Sequence, residues 1–176
     1  VVDNDLEIFP KTRLDLELDI NDTITDKIPP NFKQYMLELA NYDHDLQYFL
    51  FQHMAVLLTA DTKLRRGLFL YGTAKNGKSV YIKLVKSFFY SNDIVSKTLN
   101  ELGGRFDKES LIGKRIMASD EVGKANIDEA TVNDFKKLLS VEPIHADRKG
   151  RTQVEVTLDL KLIFNTNAVL NFPSSH

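Results

Sequence analysis

The sequence predicts an α/β domain in which a mostly parallel sheet lies between helices, with a small helical layer ahead of it. Three observations carry that prediction. From residue 66 onward short apolar runs alternate with amphipathic helical patterns, as strands joined by crossover helices do. The apolar run Gly67–Tyr71 leads directly into a glycine-bounded loop and then a helical pattern. Ahead of it, residues 30–58 carry helical periodicity alone.

Taken in order, residues 1–28 form an acidic arm in which Leu14, Leu16, Leu18 and Ile20 alternate with acids, the pattern of a half-exposed strand or extended segment. Pro29-Pro30 marks its end. A helical segment over 29–62 follows, with Phe32, Met36 and Leu39 at i, i+4, i+7, then Leu46, Phe49, Leu50, His53 and Leu57 on a second stripe. His53 on that stripe reads as a core histidine, since no second histidine or carboxylate stands at metal-ligand spacing. The core runs over 63–176. In it we expect a buried strand at 67–71 and a helix over 77–90 with Val80, Leu84 and Phe88 inward. Strands are expected at 94–97 and 115–119, and a helix to about Ser140 capped by Asn126 or Asp128, burying Phe135, Leu138 and Leu139. Val154–Val156 reads as a hairpin arm and Lys161–Asn165 as another buried strand.

Composition narrows the class. The chain has 176 residues, 43% hydrophobic and 27% charged, the usage of an ordinary globular domain rather than a disordered tail or fibre. No apolar run approaches the roughly 18 residues of a membrane span, and no signal peptide opens the chain, so no membrane partner is expected. The absence of cysteine excludes a disulfide scaffold, thiolate zinc sites and a cysteine nucleophile. A missing initiator methionine and an abrupt end at Pro173-Ser174-Ser175-His176 lead us to expect a piece of a longer protein. The net charge is −2, which by itself argues against a protein coated for nucleic acid. The distribution is uneven: residues 1–30 hold eight acids and three bases, whereas residues 61–100 hold eight bases and two acids.

Within that basic stretch, Gly72-Thr73-Ala74-Lys75-Asn76-Gly77-Lys78-Ser79 matches G-x-x-x-x-G-K-[ST] at every fixed position, between a strand and a helix. A triphosphate needs several N–H donors converging on it, and two glycines allow the backbone to wrap that closely. The helix that follows adds its positive end. ATP or GTP binding is therefore expected, with Lys78 on the β- and γ-phosphates and the Ser79 hydroxyl on Mg²⁺. One strand–helix excursion later, Ile116–Glu121 offers carboxylates beside that metal: Asp120 to hold it and Glu121 to polarise an attacking water. The strand Leu162-Ile163-Phe164 ends in Asn165-Thr166-Asn167, where an amide could orient the water or simply cap a turn. Before it, Ile144–Thr152 reads as a hairpin with its tip at Lys149-Gly150. Arg148, Lys149 and Arg151 there could grip phosphates or be a solvated turn.

These motifs, in this order, together with Leu111-Ile112-Gly113-Lys114-Arg115 ahead of Asp120-Glu121, resemble the superfamily 3 helicase domain of phage, plasmid and genomic-island primase-helicases. The poxvirus primase-helicase is a more distant relative. The resemblance covers about residues 29–172, and the hairpin before the last strand is its specific part. It implies an AAA+-like P-loop core forming a hexameric ring, with ATP and Mg²⁺ bound between subunits. It implies translocation on single-stranded DNA during replication, in the cytoplasm of a bacterium or of the host of a mobile element. A primase domain in the same polypeptide is compatible with it. Gly72–Ser79 would be the Walker A loop and Asp120-Glu121 the Walker B pair. Lys149 would be the hairpin lysine that holds DNA. Asn167 would be the sensor, with Asn165 as the alternative by a two-residue slip. The family's arginine finger normally follows the sensor strand, so the core is expected to be incomplete at its C-terminal end. Two other readings remain open on the residues: a P-loop kinase, and a non-unwinding AAA+ switch that loads a partner at a replication origin.

Overall fold

The structure, a computed structural model, describes residues 28–59, 64–104, 107–122, 127–148 and 150–170. The acidic arm therefore falls outside the described residues, as does Lys149; for Asp120, Glu121 and Arg151 only the backbone is described. The elements run α1 (Pro30–Leu39), α2 (His44–Leu58), β1 (Leu68–Tyr71), α3 (Lys78–Ser87), β2 (Ile94–Val95), β3 (Ile116–Val122), α4 (Glu129–Ser140), β4 (Pro143–Arg148), β5 (Arg151–Thr157) and β6 (Lys161–Thr166). Single 3₁₀ turns at Asn100–Gly103 and Asp107–Leu111 carry the chain between β2 and β3.

Four strands form a parallel sheet in the order β1-β6-β3-β2, and β4 and β5 form a separate antiparallel hairpin. Strand alternation assigns each residue of the sheet to one face. Leu70, Ile116, Ala118 and Ile163 face α1, α2 and α3, where Met36, Leu50, Tyr81, Ile82 and Val85 complete one core. Phe69, Met117, Leu162 and Phe164 face the opposite way, onto Phe135 and Leu138 of α4 and the buried Leu99, Leu102 and Leu111. Both faces of the sheet are thus covered, which is why its strands read as near-continuous apolar runs. On the α4 face Phe164 stacks on Phe69 with ring centres 4.9 Å apart and meets Phe135 edge-on at 6.0 Å.

Two helical stripes sit differently from their expected positions. On α2 the buried residues are Gln47, Leu50, Met54 and Leu57, while Leu46 and Phe49 are 42% and 46% exposed. On that buried side the Gln47 amide donates to the Lys33 carbonyl and joins α2 to α1. On α3 the inward residues are Lys78, Tyr81, Ile82 and Val85, and Val80 is 54% exposed. Residues 78, 82 and 85 share a helical face, so drawing Lys78 into the preceding loop sets which residues pack below it. Other boundaries move little. β2 is shorter than 94–97, β3 extends through Val122, and Asp128 caps α4 by accepting from the Thr131 N–H at 2.6 Å. No helix among the described residues is long and apolar enough to cross a membrane.

Candidate functional site

A parallel sheet presents the carboxyl ends of all its strands along one edge, and ligands of such sheets bind there. Three sequence motifs converge on that edge. The 72–77 loop leaves β1 and enters α3, Asn165 and Thr166 end β6, and Asp120-Glu121 lie near the end of β3. The strand order puts β6 between the other two, with Leu70 beside Asn165 and Tyr71 beside Thr166.

The loop is a closed cradle. Gly72 N–H donates to the Thr166 carbonyl at 3.3 Å, tying the start of the loop to the end of β6. Lys75 and Gly77 have left-handed φ values of +63° and +89°, which turn the chain back toward α3. The Lys78 side chain, 5% exposed, curls into the loop, and its ammonium donates to Gly72 O at 2.9 Å, Thr73 O at 2.6 Å and Asn76 Oδ1 at 2.7 Å. A methyl group on Gly72 would stand 2.6 Å from Asn76 Nδ2 and 4.0 Å from Lys78 Nζ, so a Cβ would occupy the space the loop encloses. The loop therefore places a buried cation beside a helix N-terminus, two groups that attract anions.

Asn165 reaches this cradle from the neighbouring strand. It shares the α3-facing side of β6 with Ile163, two residues earlier, and its Nδ2 donates to Ser79 Oγ at 3.0 Å. Asn167, beyond the end of the strand, is exposed. Of the two sensor candidates, Asn165 is the one that meets the loop's hydroxyl. On β3 the pairing with β6 is irregular between Ser119 and Val122: Ser119 pairs with Phe164 and Val122 with Thr166, so three steps of β3 match two of β6. The extra residue falls within Asp120-Glu121, as in a β-bulge.

The hairpin forms where expected, with Arg148 paired to Arg151 across its tip. Arg148 leans back to Glu109, its Nε 3.4 Å from Oε1. That contact joins the base of the tip to the 107–111 turn.

The helical layer supplies a residue that no motif in the sequence signals. Tyr35 of α1 donates its hydroxyl to the Gly77 carbonyl at 3.0 Å, and burial pushes its pKa up to about 12. Tyr81 of α3 donates to the Leu50 carbonyl at 3.1 Å and lies 3.2 Å from His53 Nδ1. Burial, with Lys161 nearby, lowers the His53 pKa to about 4, in keeping with a neutral packed histidine. His53 also lines a cavity of about 510 Å³ with Phe49, Arg66, Leu139 and Leu160, at the amino-terminal edge of the sheet, away from the loop.

No curated protein matches the chain. Solved structures do. The apo structure of the NrS-1 C-terminal region (305-718) superposes with a TM-score of 0.63 at 21% identity, covering 80% of this chain and 34% of that one. An A-form apo structure of the same region gives 0.62 at 21% identity, covering 82% and 34%. A further A-form structure gives 0.61 at 19%, covering 81% and 33%. The likeness is one of fold, and this chain spans about a third of the length of those structures. Over residues 70–176, from the end of β1 to the C-terminus, the chain matches DUF5906, and it belongs to that family of unknown function.

Proposed function

We propose that this chain is the ATP-binding core of a replicative DNA helicase motor, AAA+-like in plan and assembled as a ring in the full-length protein. The observation that carries the reading is the approach of Asn165 to Ser79 beside a loop that already encloses the Lys78 ammonium. A glycine loop alone serves many NTPases. A polar residue on the strand next to the loop adds a group able to respond to the γ-phosphate.

Each residue then has a defined task. The loop amides and Lys78 bind phosphate oxygens, with the ammonium exchanging the carbonyls of Gly72 and Thr73 for the incoming anion. Ser79 presents its hydroxyl to Mg²⁺, and Asn165 fixes its orientation. Asp120 would complete the metal's protein ligands, and Glu121 would take a proton from the attacking water. Bound Mg²⁺·ATP supplies an electrophilic γ-phosphoryl group whose developing charge the metal and Lys78 offset. The β4–β5 hairpin, with Lys149 at its tip, would hold single-stranded DNA, and an arginine from the rest of the protein would complete the site.

Titration of Mg·ATP tests the reading. The wild-type chain is expected to bind, and Lys78→Ala to bind at least about tenfold more weakly with an unchanged circular dichroism spectrum. Equal affinity in the two proteins would exclude the loop as the nucleotide site. In the full-length protein, ATP-dependent unwinding of a forked duplex separates a motor from a switch that assembles on DNA without unwinding it. Transfer of the γ-phosphate to an added acceptor would indicate a kinase.

A further inference from the structure

We infer that Tyr35 is a positioning residue for the phosphate site, aiming the Lys78 backbone N–H at the bound anion by holding the Gly77 carbonyl. The inference rests on the nucleotide-binding reading above and places part of its control in the helical layer.

Gly77 stands immediately before α3 with φ +89° and ψ −8°. Its carbonyl oxygen is the convergence point of three donors: Val80 N–H at 2.9 Å, Tyr81 N–H at 3.1 Å and the Tyr35 hydroxyl at 3.0 Å. The peptide joining Gly77 to Lys78 is trans, as are all peptides described. In a trans peptide the C=O and N–H point in opposite directions. Whatever holds the carbonyl into the helix therefore points the Lys78 N–H outward, past the helix end and toward the cradle. That N–H is among the first four of the helix, whose acceptors come from outside the helix. The two helix amides share their acceptor with every ordinary helix start. The phenol is the additional, orienting contact.

The contact is also tight. A Cβ on Gly77 would lie 3.2 Å from Tyr35 Cε2 and 3.6 Å from Leu39 Cδ1, so the ring and the neighbouring leucine press directly on the junction. Glycine is required there by its left-handed φ and by this proximity together. Tyr35 is held in turn by its own helix, where Met36 is fully buried and the Lys33 carbonyl accepts from Gln47 of α2. A displacement of α1 on the sheet therefore moves the carbonyl that orients the site.

Tyr35→Phe keeps the ring and removes only the donor. Titrations of Mg·ATP and Mg·ADP into wild-type and Tyr35→Phe chains are expected to show a loss of about three- to tenfold in affinity for both nucleotides, the range of one neutral hydrogen bond. Without nucleotide the Lys78 amide resonance should shift in the variant, while the melting temperature falls by no more than the roughly 2–4 °C expected for one lost hydrogen bond. Wild-type binding with equal affinity in Tyr35→Phe, or an unmoved Lys78 amide, overturns the inference alone. A fall in melting temperature well beyond that overturns it too, by showing that the hydroxyl chiefly serves the fold. Failure of the wild-type chain to bind either nucleotide removes both the inference and the functional reading beneath it.

Discussion

Gly72 and Gly77 bound the same loop and are constrained by different neighbours. At Gly72 an added methyl group would strike Asn76 Nδ2, the end of a side chain that also accepts from Lys78. Gly72→Ala is expected to weaken nucleotide affinity severalfold by dislodging Asn76, and to cost some folding stability because its φ of +157° is one that residues with a Cβ rarely adopt. At Gly77 the obstacles are the ring of Tyr35 and a φ of +89°, which side chains bearing a Cβ seldom adopt. Gly77→Ala should cost about 1–2 kcal/mol of folding stability, read by urea denaturation, in addition to its effect on binding. His53 bears on acid stability. Its folded pKa of about 4 lies below the ordinary 6.5, so the unfolded chain takes up a proton that the folded one refuses. The sign follows: stability is unaffected by this group above about pH 6.5 and falls as pH drops toward 4. Relative to His53→Gln, the wild-type chain should lose no more than about 3 kcal/mol across that window, measured by denaturation at stepped pH. The histidine's packed character was legible from its place on an apolar stripe, whereas its partner Tyr81 was not, because nothing in a single chain announces a contact 28 residues away.

At the scale of elements, β1, α3, α4, the hairpin and β6 were all legible, since each pairs a strong apolar period with a turn or cap. What escaped was rotation about the helix axis. Residues 46–57 and 78–88 each carry more apolar positions than one face can bury, and the buried face of each includes a hydrogen-bonded polar residue that an apolar period does not pick out: Gln47 on α2 and Lys78 on α3. The same limit explains the two asparagines. Spacing alone allowed either, and only the alternation of β6, with Ile163 buried beside α3, shows that Asn165 faces Ser79. Asn165→Ala should therefore reduce ATP turnover by tenfold or more in the assembled protein while altering nucleotide affinity by less than about threefold, and Asn167→Ala should leave both near wild type. The hairpin is testable at the same scale. Lys149→Ala in an assembled ring is expected to weaken single-stranded DNA binding and flatten its salt dependence, with nucleotide affinity unchanged. A parallel loss of nucleotide binding would mean that the residue supports the fold instead.

For the whole molecule, the sheet order matters more than any one motif. Placing β6 between β1 and β3 buries it against both helical layers, and Phe164, fully buried in the aromatic cluster, is its anchor on the α4 side. Phe164→Ala should cost about 3–5 kcal/mol and lower the melting temperature accordingly. The order itself was not legible, because a sequence of alternating strands and helices is compatible with several parallel arrangements. Only three residues, Leu158–Leu160, join the hairpin arm β5 to β6, and both leucines are 6% exposed. A link that short spans at most about 10 Å and has almost no slack. The hairpin and Asn165 are therefore mechanically in series: under the proposed function, tension at the tip would pass along β5 to a strand paired on both edges and reach the sheet edge where Asn165 lies. Lengthening the link with two glycines after Asp159 would introduce slack, so that DNA no longer stimulates ATP hydrolysis although each is still bound.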